Sequence, residues 1–168
     1  MNSRSLCYVV LLLLSFTLAG CDSAESHRVL LDRYVGIWNT GDFGNLQEVI
    51  HEEFELRMTP RFEAETGIDA FKEAVSAWRT AYPDFHVRVD EVVLSANAVA
   101  ARWTITATNS GPGWHPPTGK KVTVPGMSMF HLVDGRIKDE WIAGNNGYWL
   151  HQLGYTLVPP EGIDNAEK

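Results

Sequence analysis

Cysteine is nearly absent. The 168 residues hold only Cys7 and Cys21, too few to frame a disulfide-rich scaffold. Positive charge is scarce as well. Fourteen Lys and Arg stand against twenty-one Asp and Glu, a formal net charge of -7. Such a chain lacks the basic face that a nucleic-acid binder uses. The six histidines, His27, His51, His86, His115, His131 and His151, are scattered and never spaced as His-x-His or His-x-x-x-His. No metal-ligand motif is therefore present. Gly-x-Ser-x-Gly and phosphate-cradling glycine loops are missing too, so serine-hydrolase and nucleotide chemistry have no support. No motif calls for a cofactor.

What is present suits one globular domain. Composition is 45% hydrophobic and 21% charged, which argues for a packed body over disorder. The apolar run from Leu6 to Phe16 follows Arg4. It is shorter than the roughly 20 residues of a mature membrane span and has the length of a secretory h-region. Leu18-Ala19-Gly20-Cys21 resembles the lipobox of bacterial lipoproteins. That resemblance implies a signal peptide over 1–20, lipidation of Cys21, and a short tether over 21–25. It implies an exported protein of the bacterial cell envelope, held at the membrane through Cys21. Asp22 resembles the inner-membrane retention signal of enteric lipoproteins. With Cys7 removed and Cys21 lipidated, no thiol remains for nucleophilic or metal chemistry.

The mature chain reads as helices, then strands. From Ser23, the positions Val29, Leu30, Arg33, Tyr34 and Ile37 follow one helix face. Asn39-Thr40-Gly41-Asp42 ends it with turn chemistry. A short helix is expected over Asn45–Ile50, an extended segment over His51–Met58, and a helix over Gly67–Tyr82 with Ile68, Phe71, Val75 and Trp78 on one face. Pro83 closes it. From Phe85 the period becomes two. Strands are expected near 85–90, over Val99–Thr108, Val122–Val133 and Arg136–Ala143, the last two joined by an Asp134-Gly135 hairpin. Gly147–Leu153 reads as a short helix and 156–168 as a flexible acidic tail. Helices followed by antiparallel strands indicate an α+β fold.

Four segments carry a family likeness: Tyr34-Val35-Gly36-Ile37-Trp38-Asn39-Thr40-Gly41-Asp42, then Ala81-Tyr82-Pro83-Asp84-Phe85, Pro117-Thr118-Gly119-Lys120, and Asp134-Gly135-Arg136-Ile137 through Trp141 to Gln152-Leu153-Gly154. In this order they resemble the SnoaL-like (polyketide cyclase, ester cyclase-like) branch of the nuclear transport factor 2-like superfamily, over nearly all of 26–155. The resemblance implies a curved antiparallel sheet wrapped around helices into a cone, often a homodimer through the sheet. It also implies an apolar pocket for a small hydrophobic carbonyl compound. The cyclases use a carboxylate as acid/base in an intramolecular aldol closure. That chemistry removes a proton next to a carbonyl and protonates the new alkoxide, tasks suited to a carboxylate in an apolar pocket.

The chain departs from the cyclase pattern at three polar positions. Asn145 stands four residues after Trp141, where the pattern has aspartate. Asn109 stands for a histidine, and His131 for an arginine. An amide cannot take up a proton near neutrality. On a regular strand Ile137, Asp139, Trp141, Ala143 and Asn145 share a face, which makes Asp139 the substitute acid or base. His131 and His51 are candidate bases by their intrinsic pKa. The expected catalytic set is Asp139, Asn145 and His131. The expected ligand contacts are Trp141, Asn145, His51, Trp103, Met127 and Met129, the thioethers supplying an adaptable wall. Three readings stay open: a carbonyl acid/base enzyme, a non-catalytic module binding a hydrophobic molecule, and an interaction domain.

Overall fold

The computed structural model describes residues 24–59, 63–156 and 158. The signal segment, Cys21 and most of the acidic tail lie outside the described residues. Helix α1 spans 24–40, and its Leu30, Leu31, Tyr34, Ile37 and Trp38 form one buried face. The short α2 (Leu46–Val49) leads directly into β1 (Ile50–Met58). Next come β2 (Glu65–Thr66), α3 (Ile68–Ala81), β3 (His86–Leu94), β4 (Ala98–Thr108), β5 (Lys121–Val133), β6 (Arg136–Gly144) and α4 (Asn146–Leu153). The α+β order expected from the periodicities is present, with boundaries within a residue or two for most elements.

The six strands form one curled sheet in the order β2-β1-β6-β5-β4-β3. All its ladders among the described residues are antiparallel except one, because β1 runs parallel to β6. A long stretch of chain, residues 59–135, connects those two strands, so no tight turn dictates their relative direction. Helices α1 and α3 fill the concave face with aromatic side chains. Tyr34 lies 5.4 Å from Phe71 and 5.5 Å from Phe130, centroid to centroid. Trp38 meets Phe71 edge-on at 5.6 Å. Such tilted and edge-to-face pairs add to the burial of the rings themselves.

The motif residues of the sequence have definable mechanical tasks. Asn39, at the end of α1, pairs with β3 in both directions: its Oδ1 accepts from Val87 N at 2.7 Å and its Nδ2 donates to Val87 O at 2.9 Å. Asp84 accepts from the Thr108 N–H and hydroxyl at 2.6 and 2.7 Å, fastening the start of β3 to the end of β4. Tyr82 Oη accepts from Trp149 Nε1 at 2.9 Å, which docks α4 on α3. Asn109 is buried and organises the following loop, accepting from Thr118 N through Oδ1 at 2.9 Å.

Arg79 of α3 ties these pieces together. One guanidinium nitrogen donates to the carbonyls of Asn39 at 2.7 Å and of Trp38 and Phe85 at 3.2 Å. Hydrogen bonds to charged groups contribute more than neutral ones. We expect Arg79→Met to lower the unfolding free energy by about 1.5–3 kcal/mol, measured by urea denaturation. A loss under 0.5 kcal/mol, roughly the effect of an ordinary surface change, would mean that water replaces the guanidinium at no cost.

Candidate functional site

Between the concave sheet face and helices α1, α3 and α4 lies a cavity of ≈ 250 Å³. Its wall is largely aromatic and aliphatic, with Trp38, Trp78, Trp103, Trp149 and Phe130 among the lining side chains. Thr59, Asn145 and Asn146 line it too and are exposed, so the cavity opens at the C-terminal ends of β1 and β6. Among the described residues no lysine, arginine or histidine lines it.

Among the described residues, one acid lines the interior. Glu140 of β6 is 3% exposed and accepts a short hydrogen bond from the Tyr34 hydroxyl. Ser128 of β5, also buried, lies beside the same carboxyl and favours its charged form as a neighbouring donor. Ser128 Oγ in turn accepts from Trp103 Nε1 at 2.9 Å. Burial pushes the Glu140 carboxyl up to about 7, while the Tyr34 and Ser128 hydrogen bonds pull it down and do not overcome the desolvation. Tyr34 is raised well above its ordinary value, first by burial and then by the neighbouring carboxylate. It therefore stays an O–H donor at neutral pH. The arrangement is a carboxyl that exists in both protonation states near neutrality, at the floor of an apolar cavity, with two neutral donors on it.

The model of the SnoaL-like polyketide cyclase family matches residues 28–153. The chain belongs to that family. No curated protein sequence matches it. Among solved structures, TsrD from Streptomyces laurentii superposes with a TM-score of 0.70 at 24% identity, over 77% of this chain and 96% of that one. A candidate SnoaL-like polyketide cyclase from Jannaschia sp. CCS1 gives 0.71 at 18% identity, over 79% and 94%. AclR from Streptomyces galilaeus, described as a candidate hydroxylase, gives 0.67 at 24% identity, over 82% and 87%. These likenesses show the nuclear transport factor 2-like fold and leave the chemistry to the site.

In this SnoaL-like chain the residues expected from the sequence divide between two faces of the sheet. Trp103 and Asn145 line the cavity. Asp139, His131, Trp141, Met127 and Met129 do not; they lie on the outer face, where His131 Nδ1 meets Asp139 Oδ1 at 2.8 Å and the Arg57 guanidinium covers the Trp141 ring at 5.0 Å. Met127, Met129 and Trp141 are each about half exposed. His51 is also away from the cavity, its Nδ1 accepting from Glu53 N at 3.2 Å. For Asp139 and Trp141 the cause is a β-bulge, whereas Met127, Met129 and His131 lie on the outer parity of β5 itself. His131 pairs with Asp139 but Leu132 with Ile137, so Lys138 is an extra residue in β6. One inserted residue reverses the parity of everything after it. The inward face of β6 runs from Ile137 to Glu140, Ile142 and Gly144 instead of to Asp139 and Trp141.

Asn145 also differs from its expected role. It caps α4, its Oδ1 accepting from Tyr148 N at 2.9 Å. An asparagine N-cap is among the most favourable. Its carbonyl oxygen is thus committed to the helix, and only its amide N–H groups are left for the cavity mouth. Glu140, Tyr34 and Ser128 are the site residues that the sequence reading missed. Two of them had a visible signal. Tyr34 sits on the apolar face of α1, and Ser128 occupies the inward parity of β5 between Val124 and Phe130. Glu140 had none, since only the bulge turns it inward.

The shift of Glu140 makes stability depend on pH. Its proton is held more tightly in the folded chain (about 7) than at the ordinary 4.5. This contribution is complete below pH 4.5 and is lost as pH rises to about 7, a change of about 3 kcal/mol. The difference in unfolding free energy between the native chain and Glu140→Gln should therefore slope across that window and be flat outside it. Parallel curves from pH 4 to 8 in chemical denaturation would show that Glu140 titrates normally.

Proposed function

We propose that the cavity is the active site of a carbonyl acid/base catalyst, a cyclase-type enzyme in which Glu140 does the work of the family's missing aspartate. The observation that carries this reading is the one buried carboxyl among the described residues, raised to about 7, in an apolar cavity. A catalytic group poised near the working pH serves best as both base and acid. The carboxylate takes a proton from the carbon next to a carbonyl, breaking C–H and forming O–H. The enolate carbon then bonds to a second carbonyl carbon within the same molecule. The Glu140 proton passes to the resulting alkoxide, which restores the carboxylate. Tyr34 and Ser128 donate to the carboxylate throughout and keep its oxygens oriented.

The same cavity bounds the substrate. An engineered cavity of about 150 Å³ holds benzene, so ≈ 250 Å³ suits a neutral compound of roughly two fused rings or an equivalent folded chain. The lining offers no cation to an anionic group, and Glu140 disfavours one. α-Tetralone, a neutral bicyclic ketone with an enolisable carbon, is a suitable probe. In D2O the full-length chain should catalyse deuterium exchange at that carbon, followed by proton NMR. The rate should rise with pH through about 7 and level off. Glu140→Gln should cut it by about 10²–10⁴-fold. Equal exchange in that variant would remove Glu140 from the chemistry. Tight α-tetralone binding with no exchange above buffer would favour the non-catalytic reading, for which the neutral amides Asn145 and Asn146 at the mouth are the supporting feature.

The placement in the cell and the assembly state follow separate features. The lipobox-like Leu18-Ala19-Gly20-Cys21 supports attachment of the catalyst to an envelope membrane through Cys21. The exposed Met127, Met129 and Trp141 on the outer sheet face support a homodimer through that face. Cys21→Ser should move the protein from the membrane fraction to the soluble one and sediment as a dimer. Adding Met129→Lys should convert it to a monomer. Retention on the membrane would refute the anchor, and a monomer before the second change would refute the dimer.

A further inference from the structure

The floor of the cavity contains a feature that packing alone does not explain. Trp103 of β4 lies opposite Gly126 of β5, and Gly126 lies opposite Gly144 of β6. A Cβ at Gly126 would sit 2.0 Å from Trp103 Cη2 and 2.5 Å from two further ring carbons. A Cβ at Gly144 would come within 3.8 Å of the same Cη2. The indole therefore lies against the bare backbone of Gly126, while the contact at Gly144 is an ordinary van der Waals one. This seat fixes the ring plane, and the ring plane fixes the direction of its single N–H.

That N–H ends on Ser128 Oγ at 2.9 Å. An indole nitrogen is a donor only, and a serine hydroxyl has one proton to give. With its oxygen accepting from Trp103, Ser128 is left to direct its proton to Glu140. We propose that Trp103, seated on Gly126, is a positioning residue that holds the Ser128 hydroxyl in donation to the Glu140 carboxylate. In this arrangement Ser128 is the donor beside the acid, and Trp103 acts only through it. Because this role concerns catalysis, it rests on the reading of Glu140 as the acid/base. Few other groups share the task. Tyr34 from α1 is the only other titratable side chain lining the cavity among the described residues. From β5 the facing side chains are Ser128 and Phe130, and from β4 Trp103. The charged neighbours Asp139 and Arg57 are on the outer face.

The test uses Trp103→Phe, which keeps a ring on the glycine seat and removes the N–H. Ser128→Ala removes the donor itself. Two readouts are taken on the full-length chain: the pH dependence of α-tetralone exchange, and the pH titration of the infrared band of the buried protonated carboxyl, identified by its loss in Glu140→Gln. Losing a donor to the carboxylate disfavours the charged form, so both midpoints should move upward. About one pH unit is expected for Ser128→Ala and about half that for Trp103→Phe, by the usual strength of a hydrogen bond to a charged group. The double variant should match Ser128→Ala alone, because the two side chains act in series.

An unmoved midpoint in Trp103→Phe, or a double variant whose shifts add, would overturn the proposal. A failure of the Glu140 reading looks different. There, exchange is absent or survives Glu140→Gln, while the infrared titration still reports whether Trp103 and Ser128 set the state of the carboxyl.

Discussion

The Glu140 carboxyl and the hydrogen bonds that hold it inside the barrel-like curl of the sheet constrain much of the interior. Moving a carboxylate out of water is costly unless polar partners replace the solvent. Here the partners come from three separate elements: Tyr34 from α1, Ser128 from β5 and, through Ser128, Trp103 from β4. Each must reach its place for the acid to be tolerated. Tyr34 is packed by Phe54, Phe71 and Phe130, so the same aromatic cluster that forms the core also aims the phenol. Core and site are one construction here, and a change in either is felt in the other.

The balance at this carboxyl is informative about chemistry. Two donors favour the charged form, and burial disfavours it more strongly. The result is an acid poised near neutrality, which neither a fully solvated carboxylate nor a cation-paired one would be. The apolar lining and the lack of cationic lining residues among those described keep that balance from tipping toward permanent charge. A neutral, carbonyl-bearing, largely hydrophobic substrate suits those conditions. The outer face of the sheet follows the opposite logic, with Asp139, His131, Arg57 and Trp141 meeting in an exposed polar and aromatic layer. The two faces of the same strands thus differ in character, one enclosing an acid in apolar surroundings and the other exposed.

Family membership and site chemistry do not travel together in this chain. Asn145, which the resemblance sets at the position of the cyclase aspartate, works as a helix cap at the cavity mouth. The enclosed acid, Glu140, lies five residues earlier, within β6. What matches the family is the scaffold.

Periodicity made most of the fold legible. The helical spacing of Leu30, Tyr34 and Ile37, the alternation in β5 and the Asp134-Gly135 turn all act through neighbours in sequence, and local interactions are what a sequence displays. The orientation of β6 was not. Asp139 and Trp141 stand outside and Glu140 inside because one extra residue, Lys138, is accommodated against β5. A bulge is set by how two strands pair, and no local pattern in β6 announces it. Nor does any local pattern bring Tyr34 and Glu140 together, since 106 positions separate them. The sequence by itself determined the elements, their order and the supply of apolar and acidic side chains. Only the tertiary structure decided which carboxyl is enclosed, because burial and proton affinity belong to the space between elements.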